Sequence, residues 1–270
     1  MWKWKASQPK GVVVIVHGAA EHHGRYKWLI EMWRSSGYHV IMGDLPGQGL
    51  SRRSKRGHID SFDEYILEVS NWVKEATSFN LPIFLIGHSM GGLISIRYLQ
   101  ERKNSIDIAG VILSSPCLGL VQYPPTWLEI VAKGLNIVEP DFLIDSHLTI
   151  DLATRNQEVK ELDVNDTLYV TKMSVRWYEE LRQAIKQAFS KGLEVEHIPI
   201  MLMQGGDDKI VDKEACKKWI NQLNVMEKTY KEWPQLYHEI FNEPEREAVF
   251  QYAYSFFELI VKSRHVVKED

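Results

Sequence analysis

The chain has 270 residues, and its 32 Lys and Arg against 36 Asp and Glu leave a formal charge of −4. A chain of this length buries roughly 70–75% of the surface its extended form exposes, enough for one large α/β domain or a core with an inserted subdomain. Near charge balance offers nucleic acid no surface, and the basic cluster Arg52-Arg53-Ser54-Lys55-Arg56 lacks the interleaved aromatic rings that single strands stack on. That cluster reads as a solvated loop, with an anion or lipid-headgroup contact as the alternative. Two distant cysteines, Cys117 and Cys216, form no CxxC pair and can make at most one bridge, which fits a reducing compartment. No apolar run approaches the 18 residues of a membrane span, and the stretch before Gly11 has no signal-like apolar region. A soluble cytoplasmic protein is expected, with peripheral membrane contact left open.

In chain order, residues 12–16 read as a buried strand. A helix over 25–34 follows, with Tyr26, Leu29, Ile30 and Trp33 on one stripe, and then a strand over 39–42. Residues 62–73 repeat the helical period with Phe62, Tyr65, Ile66, Val69, Trp72 and Val73. A strand over 83–86 leads into a helix over 90–98, and a further strand covers 108–113. Beyond residue 194 come a strand over 200–203, a short helix over 213–219, a weaker strand over 227–230 and a terminal helix over 245–261. The strand runs are rich in Val, Ile and Leu and lack the alternation of a half-wet strand, as expected where helices cover both faces of a parallel sheet. The expected fold class is α/β, with an open, mostly parallel, doubly wound sheet.

The alternation stops over residues 116–194. Apolar segments at 127–135 and 142–149 and a helical face of Trp177, Leu181, Ile185 and Ala188 make this a mostly helical insertion. The core is therefore expected to comprise 1–115 and 195–270. The insertion reads as a cap over the carboxyl end of the sheet, its last helix returning toward the core.

The motif with chemistry is LIGHSMGG at 85–92, an apolar run leading through Gly-x-Ser-x-Gly into a helix. That is the layout of a nucleophile elbow, where Ser89 sits on a strained strand-to-helix turn and Gly87 and Gly91 allow the helix to close on the strand. A serine hydroxyl needs a neighbouring base to take its proton. Chain order in such folds is serine, acid, histidine. The acid is expected at the end of MLMQGGDDKIVD (201–212), with Asp208 preferred, Asp207 shaping the turn and Asp212 capping the next helix. Of the two later histidines, His265 lies close to the chain end, so His238 in LYHEIFNE is the expected base. The oxyanion hole would use the amide of Met90 and that of Ala19 in the early loop VHGAA, which His17 braces. GDLPGQG (43–49) reads as a structural loop beneath that hole.

No metal or cofactor is called for. His22 and His23 are adjacent and share no helix face, HExxH is absent, and Gly11 with Gly18 builds no GxGxxG. A serine rather than an aspartate nucleophile argues against dehalogenation or epoxide opening.

HGAAEHHGRY (17–26), DLPGQGLS (44–51), GHSMGG (87–92) and LMQGGDDKIVD (202–212) together resemble the monoacylglycerol lipase/lysophospholipase branch of the α/β-hydrolases, nearest to phospholipase-like members of bacilli. The resemblance extends to ATRNQEV (153–159) and KMSVRWYEEL (172–181) and spans nearly the whole chain. It implies a cofactor-free serine hydrolase of glycerolipid esters. Ser89, Asp208 and His238 would form the triad, Ala19 and Met90 the oxyanion hole, and a helical cap inserted after the sixth strand an acyl tunnel. Two positions depart from the pattern. Ala20 stands where relatives often have Gly, expected to tighten the entrance, and DLPGQG lacks the histidine of D-x-x-GHG, which alters how the oxyanion loop is buttressed. The chain also reaches its first buried strand almost at once, so early edge strands of the family sheet are expected to be reduced.

The expected partner is a small acyl ester, a lipid, with transient membrane contact through the cap; the favoured substrates are monoacylglycerols or lysophospholipids. The cap residues Trp127, Leu128, Ile130, Val131, Leu135, Ile137, Val138, Phe142 and Leu143 either pack the cap on the core or line a channel for an alkyl chain. Alternatives are a small-ester carboxylesterase or thioesterase, an aminopeptidase binding a free amine through Glu129, Glu139 or Asp141, and a catalytically silent binding protein.

Overall fold

The computed structural model describes residues 1–51, 55–101, 106–123, 125–146, 148–192 and 197–266, without the side chains of 126–128 and 265–266. Arg52, Arg53 and Ser54 of the basic cluster, the last residues of the expected cap (193–194) and the side chains of Trp127, Leu128 and His265 lie outside that description. In chain order the elements are β1 (Trp2–Trp4), β2 (Gly11–Val16), α1 (Lys27–Ser35), β3 (Tyr38–Met42), α2 (Asp63–Ala76), β4 (Ile83–His88), α3 (Met90–Glu101) and β5 (Ile108–Ser114). The insertion follows with α4 (Thr126–Val138), β6 (Leu143–Asp145), α5 (Ile150–Ala153), α6 (Gln157–Asp163), β7 (Lys172–Ser174) and α7 (Val175–Ser190). The chain closes with β8 (Ile200–Gly205), α8 (Lys213–Gln222), β9 (Lys228–Trp233) and α9 (Arg246–Val266).

Seven strands form one sheet in the order β1-β3-β2-β4-β5-β8-β9. Every pairing is parallel except that of β1 with β3. Strands β2 to β5 and β8 are buried along their whole length because side chains alternate between two apolar layers. Val12, Val14, Leu85, Val111 and Leu202 face the layer under α2, α3, α7 and α8. Val13, Ile15, Ile86, Ile112 and Met201 face Trp33 of α1 and Phe250 and Phe257 of α9. The two edges are a three-residue strand and the charged KTYKEW of β9, features that discourage pairing with another chain. Strand β9 runs beyond residues 227–230 because it pairs with β8 along that strand's full length, from Ile200↔Lys228 to Gly205↔Trp233.

The cap leaves the sheet after β5, the strand that the family resemblance counts as sixth. It is less purely helical than its sequence suggests: β6 and β7 pair antiparallel, from Leu143↔Ser174 to Asp145↔Lys172. Helix α7 packs Trp177, Leu181, Ala184, Ile185 and Ala188 into the same layer as α2 and α3. Trp177 Nε1 also donates to the Tyr65 hydroxyl of α2 at 3.0 Å. By contrast α4 leaves Ile130, Val131, Ile137 and Val138 exposed, the last two by more than four-fifths. No helix among the described residues is long and apolar enough to cross a membrane.

Candidate active site

Ser89 joins β4 to α3 with a φ of 51°, the left-handed conformation that a non-glycine residue adopts at a cost. The tight turn needs its flanking glycines. A Cβ on Gly87 would lie 2.5 Å from the Gly91 carbonyl oxygen, and one on Gly91 would lie 2.1 Å from that of Val16. The Ser89 N–H donates to Ser114 O at 2.9 Å, and Ser89 O accepts from Cys117 N at 2.9 Å, so the elbow is stitched to the end of β5. Met90 opens α3, where a first-turn N–H has no acceptor within the helix.

The loop after β2 lies against this elbow: a Cβ on Gly18 would sit 3.2 Å from Ser89 Cβ and 3.3 Å from His88 Cδ2. Ala19 is the next residue of that loop. The loop is held at every turn. His17 Nδ1 donates to Gly18 O at 2.8 Å, and its Nε2 accepts from Leu45 N at 3.0 Å. Burial pushes the His17 pKa down to about 4, which keeps the ring in that neutral tautomer. Leu45 belongs to GDLPGQG, so that segment buttresses the loop after β2. Asp44 completes the brace, accepting from His23 N at 2.8 Å and Leu50 N at 2.7 Å. Ala20 has a φ of 70° and a wholly buried side chain. That conformation favours glycine, so Ala20 is a strained turn residue.

Asp208 follows β8 with a fully buried side chain, whereas Asp207 is exposed and Asp212 caps α8 by accepting from Glu214 N at 2.9 Å. Asp208 Oδ2 accepts from His238 Nδ1 at 2.8 Å and Gln204 Nε2 at 2.9 Å, and Oδ1 accepts from Ile210 N and Val211 N at 2.9 Å each. Burial alone would raise the Asp208 pKa, but the imidazole and the two amides hold it below the usual carboxylate value. Burial alone would lower the His238 pKa; the Asp208 charge and hydrogen bond, with Glu239 and Glu21 adding, carry it above 6.5. The His238 ring lies 4.8 Å from the ring of His88, the residue before Ser89. Asp208, His238 and the elbow thus come together. Among the described residues no hydrogen bond joins Ser89 Oγ to the imidazole, a contact that often tightens only when substrate is bound.

Sequence reasoning missed Glu21, Gln204 and His88. Glu21 Oε2 accepts from Gly18 N at 2.6 Å and so fixes the loop after β2; the signal available was an acid two residues after Ala19. Glu21, His88 and Glu239 are the described residues that could hold a metal, with donor atoms within 4.8 Å of one another around a small cavity of about 20 Å³. Both carboxylates already accept hydrogen bonds from the Arg25 guanidinium, which supplies them with a positive charge.

Comparison with known proteins bears on what this arrangement does. The profile of the family described as serine aminopeptidase, S33 matches residues 7–245. The chain belongs to this family. Phospholipase YtpA of Bacillus subtilis (strain 168) is 56% identical over 256 residues, covering 95% of this chain and 98% of that one. The monoglyceride lipase of Homo sapiens is 28% identical over 244 residues, 89% of this chain and 79% of that one. The crystal structure of the Paleococcus ferrophilus monoacylglycerol lipase superposes with a TM-score of 0.84 at 31% identity, covering 97% and 98% of the two chains. The protein is a serine ester hydrolase of the monoacylglycerol lipase/lysophospholipase-like α/β-hydrolases.

Proposed function

We propose that the protein hydrolyses carboxylic esters of single-chain glycerolipids, monoacylglycerols or lysophospholipids, with Ser89, His238 and Asp208 as triad. Ser89 attacks the ester carbonyl while His238 Nε2 takes its proton. The oxyanion points at the amides of Ala19 and Met90. His238 then protonates the leaving alcohol and activates the water that releases the acid. The observation that carries this reading is the buried Asp208–His238 hydrogen bond beside a left-handed serine elbow. The lipid assignment draws on the names of the relatives and on the apolar α4, whose exposed Ile130, Val131, Ile137 and Val138 suit contact with acyl chains at a membrane surface. Amine recognition by the cap is less well supported, because Glu129 pairs with Arg182 and Asp141 with Lys55.

Ser89→Ala is expected to abolish ester turnover and fluorophosphonate labelling while the circular dichroism spectrum stays unchanged. Turnover within about ten-fold of wild type would overturn the triad. A chain-length series of monoacylglycerols and lysophospholipids tests the substrate, and fastest turnover on acetyl esters would overturn the lipid reading.

A further inference from the structure

Four charged side chains are buried together under the catalytic loops. Arg25 is 3% exposed, Glu21 4%, Glu239 7% and Asp163 10%. The Arg25 guanidinium grips Glu239 with a two-pronged contact, Nη1 to Oε1 at 2.9 Å and Nη2 to Oε2 at 3.0 Å, across 214 residues of chain. The same Nη1 donates to Glu21 Oε1, and the remaining edge holds Asp163 of the cap, Nε to Oδ1 at 3.1 Å. Asn242 Nδ2 donates to Glu239 Oε2 at 2.8 Å, and the Glu239 N–H donates to Ala153 O at 2.8 Å. Burial would raise the Glu239 pKa, but the guanidinium holds it down to about 2, so the carboxylate stays charged.

Buried ion pairs are poor stabilisers, because desolvation offsets their attraction. They are good at fixing geometry, since a two-pronged guanidinium contact tolerates little rotation. Here the contact connects two loops that must stay in register. Glu21 at one end fixes Gly18 of the oxyanion loop; Glu239 at the other is the residue after His238.

We propose that Glu239 is a positioning residue for the reaction, locking the His238 loop to the oxyanion loop through the Glu239–Arg25–Glu21 bridge. This rests on the triad reading above. The bridge also sets the charge around the imidazole. His238 is faced by Asp208 after β8, His88 at the end of β4, Glu21 after β2 and Glu239 on its own loop, with Arg25 between the two glutamates. The Glu239 carboxylate itself favours the charged imidazole, whereas Asp163 reaches it only through Arg25, so removing the Glu239 charge lets His238 give up its proton more readily.

The test compares Glu239→Gln with Asp163→Asn, each of which takes one carboxylate from the same guanidinium. Two readouts are used: kcat, KM and the pH profile on a short p-nitrophenyl ester, and the titration of the His238 imidazole by NMR. E239Q is expected to lower kcat about ten-fold with KM changed less than about two-fold. In E239Q the His238 titration and the acid limb of kcat/KM both move to lower pH. D163N leaves the His238 titration in place. Equal movement in both variants, or an unchanged kcat and titration in E239Q, would overturn the proposal. Should E239Q not fold, Glu239→Asp keeps the charge and breaks the two-pronged grip; kcat is then expected to fall with the acid limb unmoved, and a wild-type kcat would overturn the proposal. A wild-type protein without esterase activity would instead refute the triad reading, while the NMR arm would still decide the bridge.

Discussion

Asp208→Asn separates the role of the carboxylate from that of its shape. The native group accepts four hydrogen bonds, two on each oxygen. An asparagine can accept on one atom only. The Ile210 and Val211 amides are fixed by the backbone, so the Asn oxygen stays with them and its NH2 turns toward His238 and Gln204. Gln204 can adapt, because its Oε1 is buried without a partner and a flip of its amide would present that oxygen to the new donor. His238 can adapt only by moving its proton from Nδ1 to Nε2. An imidazole in that tautomer cannot take the Ser89 proton. Loss of the correct tautomer costs about 10⁴ in kcat, or about 5 kcal/mol of barrier. Stability should fall by only about 1–3 kcal/mol, since most of the polar groups find new partners. Steady-state turnover of a p-nitrophenyl ester with a calorimetric melt measures both. A kcat within about ten-fold of wild type, in a protein that still melts cooperatively, would refute the tautomer argument.

Two further outcomes follow from the same geometry. Because the His238 pKa is raised by Asp208, Glu239 and Glu21, kcat/KM should rise along an acid limb centred above pH 6.5, and a limb at or below that value would count against the assignment. By the same sign, the stability that this protonated histidine contributes is present below pH 6.5 and fades as pH rises through its folded-state value, which a series of melts across that range would register. Gly91→Ala places a Cβ 2.1 Å from Val16 O and 2.5 Å from His17 O, so α3 must back away from the end of β2. Overpacking of that kind costs about 1–3 kcal/mol, and displacing the Met90 amide should lower kcat by about 10² or more; a melt and a kcat both near wild type would refute the close approach.

Much of this site is legible in the sequence because its signals are local. The apolar runs of β2, β4, β5 and β8, the glycines around Ser89 and the Gly-Gly-Asp-Asp strand end each declare themselves within a few residues. Turn and cap chemistry separate Asp208 from Asp207 and Asp212, and the Asp208 side chain is buried and hydrogen-bonded to His238. Long-range pairings left no such mark. The β6–β7 ribbon joins segments near 144 and 173 whose alternation is too short to read, and β9 owes its last residues to β8 rather than to its own composition. The left-handed turn at Ala20 is hard to read because a residue type reports size directly and backbone conformation only indirectly. The Arg25 cluster was invisible for a related reason: charged residues in HHGRY and YHEIF look solvated until the fold brings them together.

Sheet order explains why such a cluster is needed. The loop after β2 and the elbow leave adjacent strands at one level, with Val16 opposite Gly87, so their proximity follows from register alone. His238 has no such advantage. It follows β9, an edge strand separated from β4 by β8 and β5, a distance of about 14 Å at the usual strand spacing. Yet its ring lies 4.8 Å from His88. The loop must run back over two strands, and apolar anchors at Leu236, Ile240 and Phe241 give it adhesion but little directional control. Direction comes from polar contacts at fixed angles: Asp207 N to Leu236 O at 3.0 Å near its start, and the Glu239–Arg25 contact beside the histidine. A loop that crosses the sheet to deliver a base needs such a tether near its tip, and Glu239 is the side chain placed to supply it.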